Sequence, residues 1–464
     1  MLKSLLKKAN TLMQNGVDNA NSLLQTALHK EVKIAITGLS RSGKSMLFTS
    51  LLTLMRDRAA QNNIDYLPLL TQLPIHRIKT VEIRPIEGEK MYPLEESQAH
   101  LAQGKWPQPT QDVYGFELFI ALHQESEWLK HLNDTQTLSF KFYDYPGEWL
   151  TDLPMLKLDY LAWSHKALEQ QSSNPQKQYA TQWHRYLENF NFDTLPTASA
   201  INEMIAVYKN YLIETKRAGI TVLQPANMLL AVSQHDWSRY GFAPLPTDVT
   251  SDPSHPWVQI FIKHYQHYQI HALKPLHERY FANTDKQIIL VDLFEGLSYG
   301  QRHLKQLKET ITNLASIFVY GKTNWFKSKF FNEHKISDIA FVASKVDSAP
   351  LSQQANLLSL LEDVSKGARS VLEDQPVRFE HFLLAAIKSA ENDPKNEKDC
   401  IYYRNERGQT VKKSFTHPIP DKIQGIREDQ GFIPLNNIPR EHYFDDIQQA
   451  QGIDSLLNFM LEDK

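Results

Sequence analysis

The chain has 464 residues, a formal net charge of −3 and 42% hydrophobic residues. That length and apolar content predict a soluble globular protein of about two to four domains with an ample core. A charge so close to neutral gives no basic surface for nucleic acid, so we expect no nucleic-acid partner. The single cysteine, Cys400, excludes an intrachain disulfide framework and fits the reducing cytoplasm. No apolar run approaches the ~18 residues of a membrane span, and the predicted location is cytoplasmic.

The first 30 residues carry apolar side chains at helical spacing, with three lysines near the start. An amphipathic helix with basic residues can lie peripherally on the anionic inner-membrane surface. Three lysines make a weak cluster, however, so we favour a helix that docks on the rest of the chain or on a protein partner.

A glycine-rich segment follows the predicted strand Val32–Thr37 and precedes an amphipathic helix. It fits the pattern G-x-x-x-x-G-K-[ST], in which the glycines let the backbone wrap a phosphate and the enclosed N–H groups supply positive charge. Lys44 is predicted to reach the β- and γ-phosphates, and the Ser45 hydroxyl to ligate Mg²⁺. The predicted phosphate-binding residues of this nucleoside-triphosphate site are Gly38, Ser40, Arg41, Ser42, Gly43, Lys44, Ser45 and Met46.

A loop that contains two prolines ends at Thr110, after a predicted strand, Ile78–Ile83, and a predicted helix, Leu94–Gln103. In GTPases a threonine at this place closes the Mg²⁺ shell only when the γ-phosphate is present. Spacing alone leaves a second interpretation open, in which Thr110 is an ordinary residue of a proline turn.

The predicted strand Leu138–Tyr143 runs directly into Asp144, with Gly147 three residues later. Asp-x-x-Gly after a strand is the γ-phosphate sensor of GTPases: the aspartate holds Mg²⁺ through a water, and the glycine N–H bonds the γ-phosphate. Glu148 stands where many GTPases place the glutamine that orients the attacking water. A carboxylate there repels the γ-phosphate unless it is protonated or paired, so we predict slow hydrolysis, with Arg41 offsetting the charge or acting as an arginine finger in cis. The predicted catalytic residues are Lys44, Arg41, Gly147 and Glu148.

Residues 150–285 have helical periodicity interrupted by proline-rich breaks, which predicts a helical insertion directly after the γ-phosphate sensor. Loss of the γ-phosphate contact at Gly147 could therefore be transmitted to the insertion along the chain.

A third nucleotide motif follows the predicted strand Ile339–Ala343. The carboxylate of Asp347 is suited to accept hydrogens from N1 and the exocyclic amine of guanine, whereas adenine would present a lone pair to it. Lys345 would lay its methylenes along the base. Ser344 stands where GTPases usually carry asparagine, so the side-chain amide that braces this site is missing.

Two further strands are predicted, Gln287–Asp292 and Phe382–Ile387. Asp292 is a rival for the magnesium-associated acid, and we prefer Asp144 because it alone has a glycine three residues later. The second strand ends in small residues, where backbone amides can approach a purine. Ala386 and Ile387 are therefore predicted to contact the nucleotide.

The sequence resembles the YcjX-like family of bacterial phosphate-loop GTPases, which are described as stress-linked. The residues that carry the resemblance are Gly38–Ser45, Trp106–Thr110, Asp144–Leu150 and Val291–Leu293. The resemblance implies a cytoplasmic GTPase that serves an envelope-stress response beside a membrane-associated protein partner. It also favours the switch role for Thr110, which completes the predicted metal ligands Ser45, Thr110 and Asp144.

We therefore predict an α/β three-layer phosphate-loop GTPase-like domain with a large helical insertion and a small C-terminal β-containing appendage. Its predicted ligands are GTP or GDP with Mg²⁺. It is predicted to hydrolyse GTP slowly and to act as a switch. The alternatives are an ATPase of the same fold and a scaffold in which nucleotide binding rather than turnover matters. The predicted boundaries are 1–30 for the amphipathic helix, 31–149 and 286–390 for the split GTPase domain, 150–285 for the insertion, and 391–464 for the appendage.

Overall fold

A computed structural model describes residues 29–39, 41–60, 77–124, 134–230, 233, 235–320, 336–373, 375–393, 399–426, 432 and 435–461. Residues 1–28 of the predicted amphipathic helix lie outside these ranges, and residues 29 and 30 already belong to the first strand.

Within the described residues, eight strands form a central sheet in the order β2-β4-β5-β1-β6-β7-β8, with β3 beside β4. The run from β5 to β8 is parallel, whereas β4 is antiparallel to both β5 and β2. Because parallel strands start at the same edge, the loops after β1, β5, β6 and β7 share the opposite edge. The strands are β1 His29–Gly38, β2 Ile78–Arg84, β3 Lys90–Met91, β4 Tyr114–His123, β5 Thr135–Asp144, β6 Lys286–Val291, β7 Asp338–Ala343 and β8 Arg378–Leu383.

Helices cover both faces of the sheet, which gives the predicted three layers. Alternate residues of β1 point to opposite faces: Ile34 and Ile36 pack with the helices α1 (Lys44–Ala60) and α15 (Ile453–Leu461), whereas Ala35 belongs to the opposite core. On that opposite face lie two long helices, α12 (Gln301–Tyr320) and α13 (Gln354–Leu372). Between α1 and α15 the helices are α2 Leu94–Ala102, α3 Gly147–Asp152, α4 Tyr160–Gln171, α5 Lys177–Asn189, α6 Ala198–Arg217, α7 Trp237–Tyr240, α8 Thr247–Thr250, α9 Pro256–Tyr268, α10 Lys274–Leu276, α11 Leu293–Tyr299, α12 Gln301–Tyr320, α13 Gln354–Leu372 and α14 Tyr443–Gln448.

The segment between β5 and β6 is helical, from α3 to α10, as predicted. Its buried side chains belong to the same apolar cluster as the side chains beneath α12 and α13, so the insertion shares its core with one face of the sheet. Asp152, at the end of α3, joins distant parts of the insertion: its carboxylate accepts hydrogen bonds from the amides of Ala226 and Asn227 at 2.7 and 2.8 Å and from the Tyr268 hydroxyl at 2.6 Å. Movement of α3 would therefore be transmitted to the turn at Ala226–Asn227 and to helix α9.

The predicted strand Phe382–Ile387 is wrong in its position, because β8 spans Arg378–Leu383. Among the described strands only β7 pairs with this strand, so it lies at the edge of the sheet, and most of its residues are half-buried. The apolar run that suggested a strand instead continues past the sheet edge as a buried loop through Leu384 and Ala385.

The C-terminal part contains a separate three-stranded antiparallel sheet in the order β11-β10-β9, which confirms the predicted β-containing appendage. These strands are β9 Ala390–Asn392, β10 Cys400–Arg404 and β11 Thr410–Ser414. The terminal helix α15 returns to pack beneath the main sheet. Among the helices of the described part of the chain, none combines the length and the apolar character that crossing a membrane requires.

Candidate active site

The glycine-rich loop connects β1 to α1 at the shared edge of the sheet. Gly38 has no space for a side chain, because a Cβ there would lie 2.9 Å from the carbonyl oxygen of Leu290 in β6. Gly43 has a φ of +91°, a conformation that glycine adopts readily. The ammonium of Lys44 donates to the carbonyls of Gly38 at 2.7 Å and Leu39 at 3.3 Å, so it lies against the backbone of the loop. Ser40 lies outside the described residues.

The three predicted metal ligands come together although they are far apart in the sequence. The Thr110 hydroxyl donates to Oδ2 of Asp144 at 2.7 Å and lies 3.1 Å from the Ser45 hydroxyl. Asp144 is the last residue of β5 and pairs in register with Ile36 of β1, which places its carboxylate beside the loop that follows β1. The strand pairing therefore builds the cluster.

The electrostatics of Asp144 suit a bound cation. Burial raises its pKa to about 6, while the charge of Lys44 and the Thr110 hydrogen bond oppose the rise. Its Oδ1 atom is buried without a hydrogen-bond partner among the described residues, which leaves an acceptor for a metal-bound water. Mg²⁺ binds oxygen ligands and commonly uses one or two carboxylates together with substrate phosphates. Two hydroxyls and one carboxylate therefore fit this ion.

No group of three or more His, Cys, Asp or Glu side chains that could hold a metal ion occurs in the part of the chain that the structure describes. A metal at this site would thus depend on the Ser45 and Thr110 hydroxyls and on the nucleotide for most of its ligands.

The predicted γ-phosphate sensor leads directly into helix α3, because Gly147 is the first residue of that helix. The side chain of Glu148 is only 6% exposed, and its Oε1 lies 2.6 Å from the ammonium of Lys216 in α6. A carboxylate near a phosphate is expected to be paired. The structure pairs Glu148 with Lys216, a partner that the sequence did not indicate.

The other predicted catalytic residue in the loop, Arg41, extends toward the insertion. It has a φ of +66°, and its Nη1 lies 3.3 Å from the position that a Cβ on Gly219 would occupy. Burial lowers the pKa of Lys44, the charges of Asp144 and Glu148 raise it, and that of Lys216 lowers it. Lys44, Glu148 and Lys216 therefore lie close enough to interact electrostatically.

Asp347 lies in a short turn after β7, and its Oδ2 accepts three hydrogen bonds. The donors are the Ser389 amide at 2.7 Å, the Ser389 hydroxyl at 2.6 Å and the Ala390 amide at 3.1 Å. Burial raises the pKa of Asp347, and these hydrogen bonds oppose the rise. The carboxylate is thus fixed through one oxygen.

Lys345 adopts a left-handed φ of +60°, and its ammonium donates to Oδ2 of Asp292 at 2.6 Å. Asp292 also caps helix α11, because its Oδ1 accepts from the amides of Phe294 and Glu295 at 3.0 and 3.2 Å. The rival magnesium acid of the sequence analysis is therefore engaged in a helix cap and in an ion pair.

The neighbourhood of the missing asparagine is braced by other side chains. Ser344 lies beside Gly43, 3.9 Å from the position of a Cβ there, and its hydroxyl donates to the Val291 carbonyl at 3.4 Å. The Asn437 amide donates to the Ser389 hydroxyl at 2.8 Å, while the Trp106 indole donates to the Asn437 carbonyl at 2.8 Å. A C-terminal residue thus joins the turn that contains Asp347 to the loop that leads to Thr110.

The remaining predicted nucleotide contacts lie after β8. The Ala386 carbonyl accepts from the Ser50 hydroxyl of α1 at 2.6 Å. Ile387 packs with Met46 in a small apolar cluster, so these two side chains contact protein.

This fold and the geometry of its loop define a phosphate-loop α/β protein of the GTPase type. The chain belongs to the YcjX-like family, DUF463, whose family model matches residues 32–464. It is similar to the "Ras-like GTPase YcjX" of Escherichia coli strain K12, with 26% identity over 397 residues that cover 84% of this chain and 82% of the relative. A protein of the same name from Shewanella oneidensis MR-1 is 25% identical over 477 residues, covering 96% and 97%. The predicted family is confirmed.

Proposed function

We propose that the chain binds GTP with Mg²⁺ and hydrolyses it slowly, as a nucleotide-driven switch. The observation that carries the proposal is the convergence of Lys44, Ser45, Thr110 and Asp144 at one edge of the sheet. Asp347 follows β7 at the same edge, which supports a base-binding role beside the phosphate site. The similar proteins are named GTPases, and this also supports the assignment.

The chain's own residues divide the work on the nucleotide. Lys44 donates to the β- and γ-phosphates, and the Gly147 amide donates to the γ-phosphate. Ser45, Thr110 and Asp144 would hold Mg²⁺, which neutralises charge on the phosphates. Glu148 orients the attacking water. Asp347 accepts from guanine and disfavours adenine.

Calorimetry with GDP and with ADP, at equal Mg²⁺ concentration, tests the assignment of the base. We expect GDP to bind at least about a hundredfold more tightly, because adenine leaves a polar mismatch at Asp347. Equal affinities would instead indicate an ATPase of the same fold. Phosphate release from GTP then tests turnover. A full biological effect with a GTP analogue that is bound but not hydrolysed would indicate the scaffold alternative.

Glu148→Gln is expected to hydrolyse GTP at least as fast as the wild type. Glutamine can orient the water and carries no charge to repel the γ-phosphate. Single-turnover phosphate release measures the rate, and Glu169→Gln, an exposed position in α4, is the control. A large loss of rate confined to Glu148→Gln would show that Glu148 acts as a base.

A GTP analogue is expected to protect Thr110 and the Pro146–Gly147 turn from hydrogen exchange more strongly than GDP does. The effect should extend into the insertion, because α3 begins at Gly147 and ends at Asp152, whose carboxylate bonds three distant insertion groups. Mass spectrometry of the two nucleotide states measures the difference. Identical protection would indicate a rigid binding module.

A role in a stress response beside a membrane-associated partner stays a prediction from the family resemblance.

A further inference from the structure

The C-terminal end of α6 lies against the phosphate loop and the start of α3. Lys216, in the last turn of α6, places its ammonium 2.6 Å from Oε1 of Glu148. Just beyond the helix, Gly219 adjoins the Arg41 guanidinium, and the Ala218 carbonyl accepts a hydrogen bond from the Tyr299 hydroxyl. Two of these contacts therefore hold this part of the insertion against Glu148 and Arg41, and the third joins it to α11.

The Lys216–Glu148 pair differs from an ordinary surface ion pair because its carboxylate is shielded from water. The Glu148 side chain is 6% exposed and that of Lys216 is 28% exposed. Exposed pairs contribute little to stability, whereas removal of one partner of a buried pair leaves an uncompensated charge in a poor solvent. Without Lys216, Glu148 would be a bare carboxylate beside a highly charged phosphate.

We propose that Lys216 is a positioning residue for GTP hydrolysis: the insertion supplies the cation that neutralises Glu148 and fixes its orientation at the γ-phosphate end. This inference rests on the proposed GTPase function and deepens it. With Oε1 held by Lys216, the second carboxylate oxygen is the one that can accept a hydrogen bond from the attacking water. The orientation of the insertion thereby controls the rate of hydrolysis.

The hydrolysis of GTP that Glu148 assists needs no reactant other than water. The water oxygen forms a bond to the γ-phosphorus while the bond from that phosphorus to the β–γ bridging oxygen breaks. The electron pair of the broken bond stays on the β-phosphate of GDP, and both water protons leave with the released inorganic phosphate. Glu148 orients the water and keeps no proton.

The test is a double-mutant cycle on the full chain, read as single-turnover GTP hydrolysis and as GTP-analogue affinity. Lys216→Met should lower the hydrolysis rate by about tenfold or more while analogue affinity changes by less than about threefold. Lys216→Arg keeps the charge and should restore most of the rate. In a Glu148→Gln background, Lys216→Met should have little effect, because glutamine needs no neutralising cation. Arg217→Met is the matched control, since Arg217 is the next residue of α6, is 72% exposed and pairs with Glu214 of its own helix.

Each result has a defined meaning. A normal rate in Lys216→Met, or an equal loss in both backgrounds, would overturn the positioning role while leaving the GTPase assignment intact. A similar loss in Arg217→Met would attribute the effect to the helix rather than to Lys216. A wild-type chain that neither binds nor hydrolyses GTP would overturn the proposed function and this role with it.

Discussion

Alanine in place of Lys44 is expected to abolish tight triphosphate binding while the chain stays folded. The substitution removes a buried ammonium that a phosphate-loop protein directs at the β- and γ-phosphates. Hydrogen bonds to charged groups contribute about 1.5–3 kcal/mol each, so losing two of them should lower GTP affinity at least about a hundredfold. Titration calorimetry with GTP and Mg²⁺ measures the loss.

The fold should survive because, among the described residues, the hydrogen bonds of the Lys44 ammonium go to carbonyls of its own loop, those of Gly38 and Leu39. Thermal unfolding checks this point, and circular dichroism should report the same helix content. Arg56→Ala is the matched control: it removes a positive charge from the same helix, where the side chain is 57% exposed and pairs with Glu95. Unchanged GTP affinity in folded Lys44→Ala would refute the phosphate site.

Asp347→Asn is expected to reverse the base preference from guanine to xanthine. Guanine presents an exocyclic amine to a carboxylate, whereas xanthine has a carbonyl in its place and needs a donor. The structure indicates which way the asparagine would face. Oδ2 accepts from the amides of Ser389 and Ala390, so the amide oxygen must take that place, and the new NH₂ must replace Oδ1.

The expected swing between GTP and xanthosine triphosphate is several kcal/mol, on the order of 3–5, as one mismatched pair is relieved and another is created. Competition binding with both triphosphates measures it. Asp347→Ala is the control, because it should lose GTP affinity without gaining any for xanthosine triphosphate. A mutant that still prefers GTP would show that another group recognises the base. Position 344 is serine rather than asparagine, and Asn437 braces Ser389 instead. This difference affects the size of the expected swing in base preference rather than its sign.

The loop chemistry could be predicted from the sequence because its determinants are local. The apolar run of β1, the two glycines and the start of α1 are consecutive, and each acts through the conformation of its own segment. Asp144 was recognisable for the same reason, since it directly follows an alternating strand. The misplaced β8 shows where this fails: the residues of this edge strand are only partly buried, and the more apolar run beside it belongs to a loop.

The partners of the site's charged groups depended on the tertiary structure. Lys216 stands 68 residues after Glu148, in the last turn of a helix, where a lysine is common because it complements the helix dipole. Asn437 lies 48 residues after Ser389, and its own neighbours in the sequence give no sign that it contacts the turn around Asp347. From the sequence, Asp292 resembles a metal ligand. In the structure its carboxylate instead caps helix α11 and pairs with Lys345.

The sequence by itself thus determined the phosphate-loop class, the family and the residue types of the site. Only the tertiary structure decided which side chain neutralises Glu148 and which residues hold Asp347. The physical reason is that backbone conformation and periodicity are short-range properties of consecutive residues, whereas the partner of a buried charge is chosen by how helices and loops from distant parts of the chain pack together.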